Sequence, residues 1–217
     1  MITLDGPAVG PKAGGKAKHL VVFLHGYGSN GDDLISLAPY WGDLLPDAEF
    51  ISPNAPFPCE ENPFGGFQWF GFRDRSPEMI LGGTRAAAAI LDAYLDQQLK
   101  ARGIDESKMA LVGVSQGTMM SLFVGPRRAI APAGIVGYSG RLIAAELLAG
   151  EMKSKPPVLL VHGTADQMVP FPNMAHAAET LQEAGIAVET LARPGLPHSI
   201  DQEGLDRGGR FLKQNLR

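Results

Sequence analysis

The sequence predicts an α/β fold with a mostly parallel central sheet and helices on both faces. Three observations predict it. Short apolar runs alternate along the chain with segments of helical period. Several of these runs are apolar at nearly every position, as strands covered on both sides are. Glycine (27) and proline (17) are spread through the chain and punctuate its elements, with no repeat and no low-complexity linker.

The expected strands are His19–Leu24, Glu49–Ser52, Met109–Val114, Gly134–Tyr138, Val158–Val161 and Val188–Leu191. Each is too short for a helix and most are rich in β-branched residues. The clearest helix is Thr84–Arg102. There Ala88, Leu91, Leu95 and Leu99 form one apolar stripe, Asp92, Asp96 and Lys100 lie elsewhere, and Gly103 is a stop. Met174–Ala184 and Gln202–Leu216 also read as helices, the second weakened by Gly208-Gly209. In an open parallel sheet, ligands bind beyond the carboxyl ends of the strands, so the residues following each strand are where chemistry is expected.

The chain has 217 residues, of which 45% are hydrophobic and 19% charged, and this suits one domain, 1–217, with a full core. Its formal net charge of -4, without a block of like charge, argues against a nucleic-acid surface. No run is long enough to span a membrane, and Met1–Lys18 has no signal-peptide pattern. Cys59 is the single cysteine, which fits a reducing, cytoplasmic setting better than a disulfide scaffold.

Strand Met109–Val114 runs into Gly113-Val114-Ser115-Gln116-Gly117, a G-x-S-x-G nucleophile elbow followed by a helix-compatible segment. The elbow needs a strained strand-to-helix turn that exposes the serine hydroxyl at a helix N-terminus. The flanking glycines remove side chains that would clash there. The plainer reading of Ser115 is a helix cap, but the apolar strand before it favours the elbow. A serine nucleophile needs a base, and the base needs an orienting acid. In the α/β-hydrolase fold these follow in the order Ser, Asp or Glu, His. Asp166 follows Val158–Val161, and His198 follows Val188–Leu191, so Ser115, Asp166 and His198 are the expected catalytic residues. The oxyanion donors would be the backbone N–H groups of Gln116 and, in the glycine-bearing loop His25–Gly31, of Tyr27. His25 and His162 read as buried hydrogen-bonding residues, and His19 and His176 as surface or structural ones.

These motifs resemble the phospholipase/carboxylesterase family, which includes acyl-protein thioesterases. The resemblance rests on Phe23-Leu24-His25-Gly26-Tyr27-Gly28, Gln68-Trp69-Phe70, Gly113–Gly117 and His162-Gly163-Thr164-Ala165-Asp166-Gln167-Met168-Val169-Pro170, and runs from about Leu20 to the C-terminus. It implies an α/β-hydrolase fold and cofactor-free hydrolysis of carboxylic esters or thioesters. It implies the same triad and oxyanion amides, and it puts Trp69 and Met168 in the acyl pocket. The sequence departs from the family at Gly71, where an aspartate is usual, at Gly125-Pro126, which cuts short the helix after the elbow, and at Leu196-Pro197-His198, where a glycine often precedes the histidine. These departures leave substrate preference open.

The densest aromatic cluster is Phe64, Phe67, Trp69, Phe70 and Phe72, in a stretch without strong period from Pro53 to Gly83. It is the expected substrate-binding or lid segment, with Trp69 and Phe70 beside Met168 as binding residues. Arg73, Asp74 and Arg75 read as a solvated turn. The expected activity is serine hydrolysis of short- to medium-chain acyl esters or thioesters, with a small-molecule substrate, no cofactor, no metal, and a homodimer left open. Two alternatives stand beside it. One is a metal hydrolase using His25, His162, Asp166 and His198. The other is a non-catalytic binding module on the same scaffold.

Overall fold

The structure is a computed structural model that describes residues 3–62 and 65–217. Its strands are β1 (Ala8–Val9), β2 (His19–Leu24), β3 (Ala48–Ile51), β4 (Phe57–Pro58), β5 (Phe67–Gln68), β6 (Met109–Val114), β7 (Gly134–Tyr138), β8 (Val158–Gly163) and β9 (Val188–Arg193). Its α-helices are α1 (Gly31–Ile35), α2 (Ala38–Trp41), α3 (Pro77–Arg102), α4 (Gln116–Val124), α5 (Leu148–Glu151), α6 (Pro172–Glu183) and α7 (Gln202–Asn215). Seven strands form one sheet in the order β1-β3-β2-β6-β7-β8-β9, parallel throughout except for β1 at one edge. This is the expected α/β architecture.

The period-two alternation of the strands divides the core in two. Leu20, Val22 and Leu24 of β2, Met109 and Leu111 of β6, and Val158 and Leu160 of β8 face the layer of α3, α4 and α6. Val21, Phe23, Ala110, Val112, Leu159 and Val161 face the layer of α2 and α7, around Trp41 and Phe211. Covering both faces is what makes β2, β6 and β8 continuously apolar in sequence. All nine residues of α4 are buried, so the helix that follows Ser115 lies inside the molecule.

Several boundaries differ from the sequence expectation. Helix α3 begins at Pro77 rather than Thr84. Proline suits the first helical turn, and Gly82-Gly83 does not mark the end of a loop. Gly83 is instead where the ring-bearing Phe70 abuts the helix: a Cβ there would lie 2.8 Å from the Phe70 Cβ. The supposed long loop therefore holds the hairpin β4–β5 and the first turns of α3. Strands β8 and β9 run to Gly163 and Arg193, because their pairing continues through His162–Ala192 and Gly163–Arg193. Gly208 and Gly209 sit within α7, where Tyr138 and Trp41 pack directly on them. Phe64 lies outside the described residues. Among the described residues, no helix is long and apolar enough to cross a membrane.

Leu91 of α3 is fully buried against the sheet. Leu91→Ala is expected to lower the unfolding free energy by about 2–5 kcal/mol, the usual cost of such a cavity, measured by urea denaturation with the parent as reference.

Candidate active site

Ser115 leaves β6 with φ 53° and ψ -114°, a backbone conformation that a non-glycine residue adopts only when its surroundings enforce it. Ser115 N–H donates to Tyr138 O of the neighbouring strand at 2.8 Å. The Thr118 hydroxyl lies 2.8 Å from both Gly113 O and Tyr138 O, tying α4 to β6 and β7. Gly117 is fixed by close approach: a Cβ there would sit 1.7 Å from Leu24 O of β2. As a helix cap the Ser115 side chain makes no bond, and among the described residues its hydroxyl has no hydrogen-bond partner. The geometry is therefore an elbow and not an ordinary cap.

Asp166 and His198 are brought together by stitching between the loops after β8 and β9. Ala165 N–H donates to Leu196 O at 3.0 Å, and Gly195 N–H to the Thr164 hydroxyl at 2.8 Å. At Gly163 a Cβ would meet Leu196 O at 2.2 Å, so the loops can close only over glycine. Arg193 at the end of β9 binds Asp201, which caps α7, and so closes the His198 loop from behind. His198 Nδ1 donates to Asp166 Oδ2 at 2.7 Å. The Met168 and Val169 amides both donate to Asp166 Oδ1 at 2.9 Å. His162 Nε2 donates to Val169 O at 2.8 Å and lies 3.2 Å from Asp166 Oδ2. Burial alone would raise the Asp166 pKa, but the bonds from His198 and from the Val169 and Met168 amides outweigh it and hold the carboxyl below its ordinary 3.8. Asp166 is thus an anion fixed in place. His162 is the buried hydrogen-bonding residue expected from the sequence, and it also backs Asp166, a contact that local pattern does not disclose.

The loop after β2 abuts the elbow: a Cβ at Gly26 would lie 3.4 Å from the Ser115 Cβ. His25 is fully buried, with Nδ1 donating to Gly26 O at 2.7 Å and Nε2 accepting from Ala55 N–H at 2.9 Å. Burial holds its pKa down, and both ring nitrogens are occupied. Neither the Tyr27 nor the Gln116 backbone N–H has an acceptor among the described residues; Gln116 follows Ser115 in the chain, and Tyr27 follows the Gly26 that abuts it. Two unengaged amides at a helix N-terminus and a glycine loop are what an oxyanion site requires.

Trp69 and Phe70 are fully buried, so they offer no open surface to an acyl chain in this structure. Trp69 Nε1 donates to His25 O at 3.0 Å. Trp69 N–H donates to the Gln116 side-chain oxygen at 2.8 Å, and the Gln116 side-chain amide donates to Phe70 O at 2.7 Å. The tryptophan-phenylalanine segment thereby joins the two expected oxyanion loops from beneath. Sequence spacing does not reveal this clasp, because it joins side chain and backbone across 47 and 46 residues. Met168, by contrast, is 76% exposed, and its backbone amide binds Asp166. Phe72 is half-buried and packs on Tyr27, ring centroids 5.1 Å apart. Gly71 also has an explanation: a Cβ there would lie 2.9 Å from Glu60 Oε1, which accepts from the Phe72 and Arg73 amides. A carboxylate is present at this corner, supplied by Glu60. Among the described residues, no three His, Cys, Asp or Glu side chains are grouped to hold a metal ion.

Gln116→Leu leaves the Trp69 amide and Phe70 carbonyl buried without partners. It should cost about 2–6 kcal/mol of stability by urea denaturation, from about 1–3 kcal/mol for each orphaned group. Because the folded Asp166 pKa is depressed, its contribution to stability is present above the ordinary 3.8 and is lost as pH falls below it. Thermal melts of Asp166→Asn from pH 6 down to about pH 2 should therefore fall less steeply at the acid end than those of the parent.

Comparison with known proteins agrees with this geometry. Residues 6–216 match the model of the Phospholipase/Carboxylesterase family. The chain is 30% identical over 213 residues to acyl-protein thioesterase 1 of Gibberella zeae, covering 90% of each chain. It is 29% identical over 212 residues to carboxylesterase SOBER1 of Arabidopsis thaliana, covering 93% of this chain and 92% of that one. Among solved structures, esterase PE8 superposes with a TM-score of 0.94 at 41% identity, over 99% of this chain and 100% of that chain. With a family match over nearly its whole length and the corresponding sheet and elbow, the chain is an α/β-hydrolase-fold enzyme that belongs to the phospholipase/carboxylesterase family of hydrolases.

Proposed function

We propose that this chain is a serine esterase or thioesterase acting on short- to medium-chain acyl groups, with Ser115 as nucleophile, His198 as general base and acid, and Asp166 as the orienting anion. The observation that carries the reading is the 2.7 Å bond from His198 Nδ1 to a fixed Asp166 carboxylate, on the sheet edge where Ser115 stands in its left-handed turn. That bond puts the proton of a neutral His198 on Nδ1 and leaves Nε2 with its lone pair.

On substrate binding His198 Nε2 closes on the Ser115 hydroxyl, which has no competing partner among the described residues. Such bonds are often long or unmade until substrate is present. The Ser115 oxygen attacks the acyl carbon as its proton passes to Nε2, and the Tyr27 and Gln116 amides hold the developing oxyanion. Asp166 stabilises the resulting imidazolium. Nε2 returns the proton to the leaving alcohol or thiol, and the acyl group remains on Ser115. Water then attacks the acyl-enzyme, with His198 taking its proton; the bond from the acyl carbon to the Ser115 oxygen breaks, His198 returns the proton to that oxygen, and the carboxylic acid departs. Every step is a proton or acyl transfer between protein, substrate and water, without a cofactor. Met168 borders the acyl chain, while Trp69 and Phe70 act from below by fixing the oxyanion loops.

Hydrolysis of p-nitrophenyl esters and acyl-CoA thioesters of increasing chain length should show a short- to medium-chain optimum in the parent. Ser115→Ala should lower turnover by about 10³-fold or more on all of them, the usual scale for loss of such a nucleophile. A Ser115→Ala protein with near-parent activity sinks the assignment.

A further inference from the structure

Arg141 follows β7 directly beside the elbow. Tyr138 O accepts the Ser115 amide, and at Gly140 a Cβ would lie 3.1 Å from Ser115 O, so Arg141 is the next residue after the chain that touches the nucleophile's turn. It is only half-buried and therefore reachable. Among the described residues, no carboxylate, carbonyl or side-chain oxygen accepts from its guanidinium. Buried arginine elsewhere in this chain is paired: Arg128 binds Glu106, Asp92 and Asp96, and despite burial its pKa rises. Arg141 shows the reverse. Burial and then the like charge of Arg75 disfavour its cation.

Arg75 itself lies over the Phe72 ring, 5.8 Å from the centroid, and Phe72 packs on Tyr27 of the oxyanion loop. The cation whose charge acts on Arg141 thereby stands over a ring that packs on the Tyr27 loop. The carboxylates near Arg75 are already engaged, Glu60 by the Phe72 and Arg73 amides and Asp74 by the Ser76 amide. Ser139, two positions before Arg141, has φ 49° and a buried hydroxyl without a partner. The turn after β7 therefore carries two polar groups with unmet hydrogen-bonding capacity, on a strained backbone, beside the expected nucleophile.

We propose that Arg141 is a substrate-binding residue that selects esters bearing a carboxylate in addition to the scissile ester. An arginine fork matches a carboxylate with two parallel N–H···O bonds, and a bound anion relieves both the desolvation of Arg141 and its repulsion from Arg75. Arg75, which is exposed, adds attraction at longer range. This assignment rests on the esterase reading for its catalytic consequence, while binding of the anion does not.

The test compares monomethyl succinate and monomethyl adipate with methyl butyrate and methyl hexanoate, matched in acyl length, by acid release at constant pH. The parent should prefer the acidic partner of each pair in kcat/KM. Arg141→Gln should lower that preference about 10- to 100-fold, the scale of a charge-assisted pair, while neutral esters change less than about threefold. Arg141→Lys, which keeps the charge without the fork, should restore part of it. Separately, calorimetry on Ser115→Ala should detect binding of monomethyl adipate that weakens at least about tenfold in Ser115→Ala/Arg141→Gln. Equal losses on acidic and neutral esters in Arg141→Gln, or binding that ignores Arg141, overturn the proposal. If the parent hydrolyses none of the four esters and no p-nitrophenyl ester or acyl-CoA thioester, yet binding still depends on Arg141, the anion site stands and the esterase reading fails.

Discussion

The left-handed backbone at Ser115 is the constraint that the rest of the structure serves. A residue with a side chain does not hold that conformation unaided. It is held because β6 is pinned in the middle of the sheet, because Tyr138 of β7 accepts the Ser115 amide, and because every residue of α4 is buried and cannot swing away. Gly117 lets α4 start against Leu24 O of β2, which a methyl group would prevent. The same fixity sets the direction of the Gln116 side chain, and Gln116 in turn fixes Trp69 and Phe70. Thus one strained turn positions a hydroxyl, one of the two proposed oxyanion amides and the support of the other.

The proposed acid–base half of the site is built differently. Asp166 and His198 lie on loops, which are mobile unless tied down. Here the loops are stitched to one another through Thr164, Ala165, Gly195 and Leu196, and the Asp166 carboxylate is surrounded by donors on both oxygens. Two amides on Oδ1 leave Oδ2 to the histidine. His162 packs beside the same oxygen with its own proton committed to Val169 O, so it supports the carboxylate without competing as a base. Electrostatic preorganisation of this kind costs nothing at the moment of reaction, because the dipoles are already aligned.

Much of this was legible in the sequence because it is carried by local pattern. Continuous apolar runs reveal β2, β6 and β8, since both of their faces are covered, and the elbow is a contiguous motif whose glycines answer to steric contacts. The order of Ser115, Asp166 and His198 follows from each lying after a strand of a parallel sheet. What escaped the sequence depends on contacts between distant segments. The start of α3 was obscured by Gly82-Gly83, whose reason is the packing of Phe70. The hairpin β4–β5 is too short to carry a period of its own. The aromatic cluster was legible as a group, but aromatic rings fill cores as readily as sites, and only burial separates Trp69 and Phe70 from Phe72.

The same distinction separates chemistry from selectivity in this molecule. The groups expected to do chemistry are set by strands and by the buried helix α4, where displacement would cost core packing. The groups around the mouth are of another kind: Met168 is exposed, Arg75 and Arg141 are held by little, and Glu60 supplies a carboxylate that the usual motif would carry at position 71. Such positions can change without disturbing the sheet, because few core contacts depend on them. Membership of a family therefore constrains the reaction class of this chain more tightly than its substrate. An unpaired guanidinium beside a serine turn is a feature of the mouth, and it has to be read from charge and partners rather than from the motif.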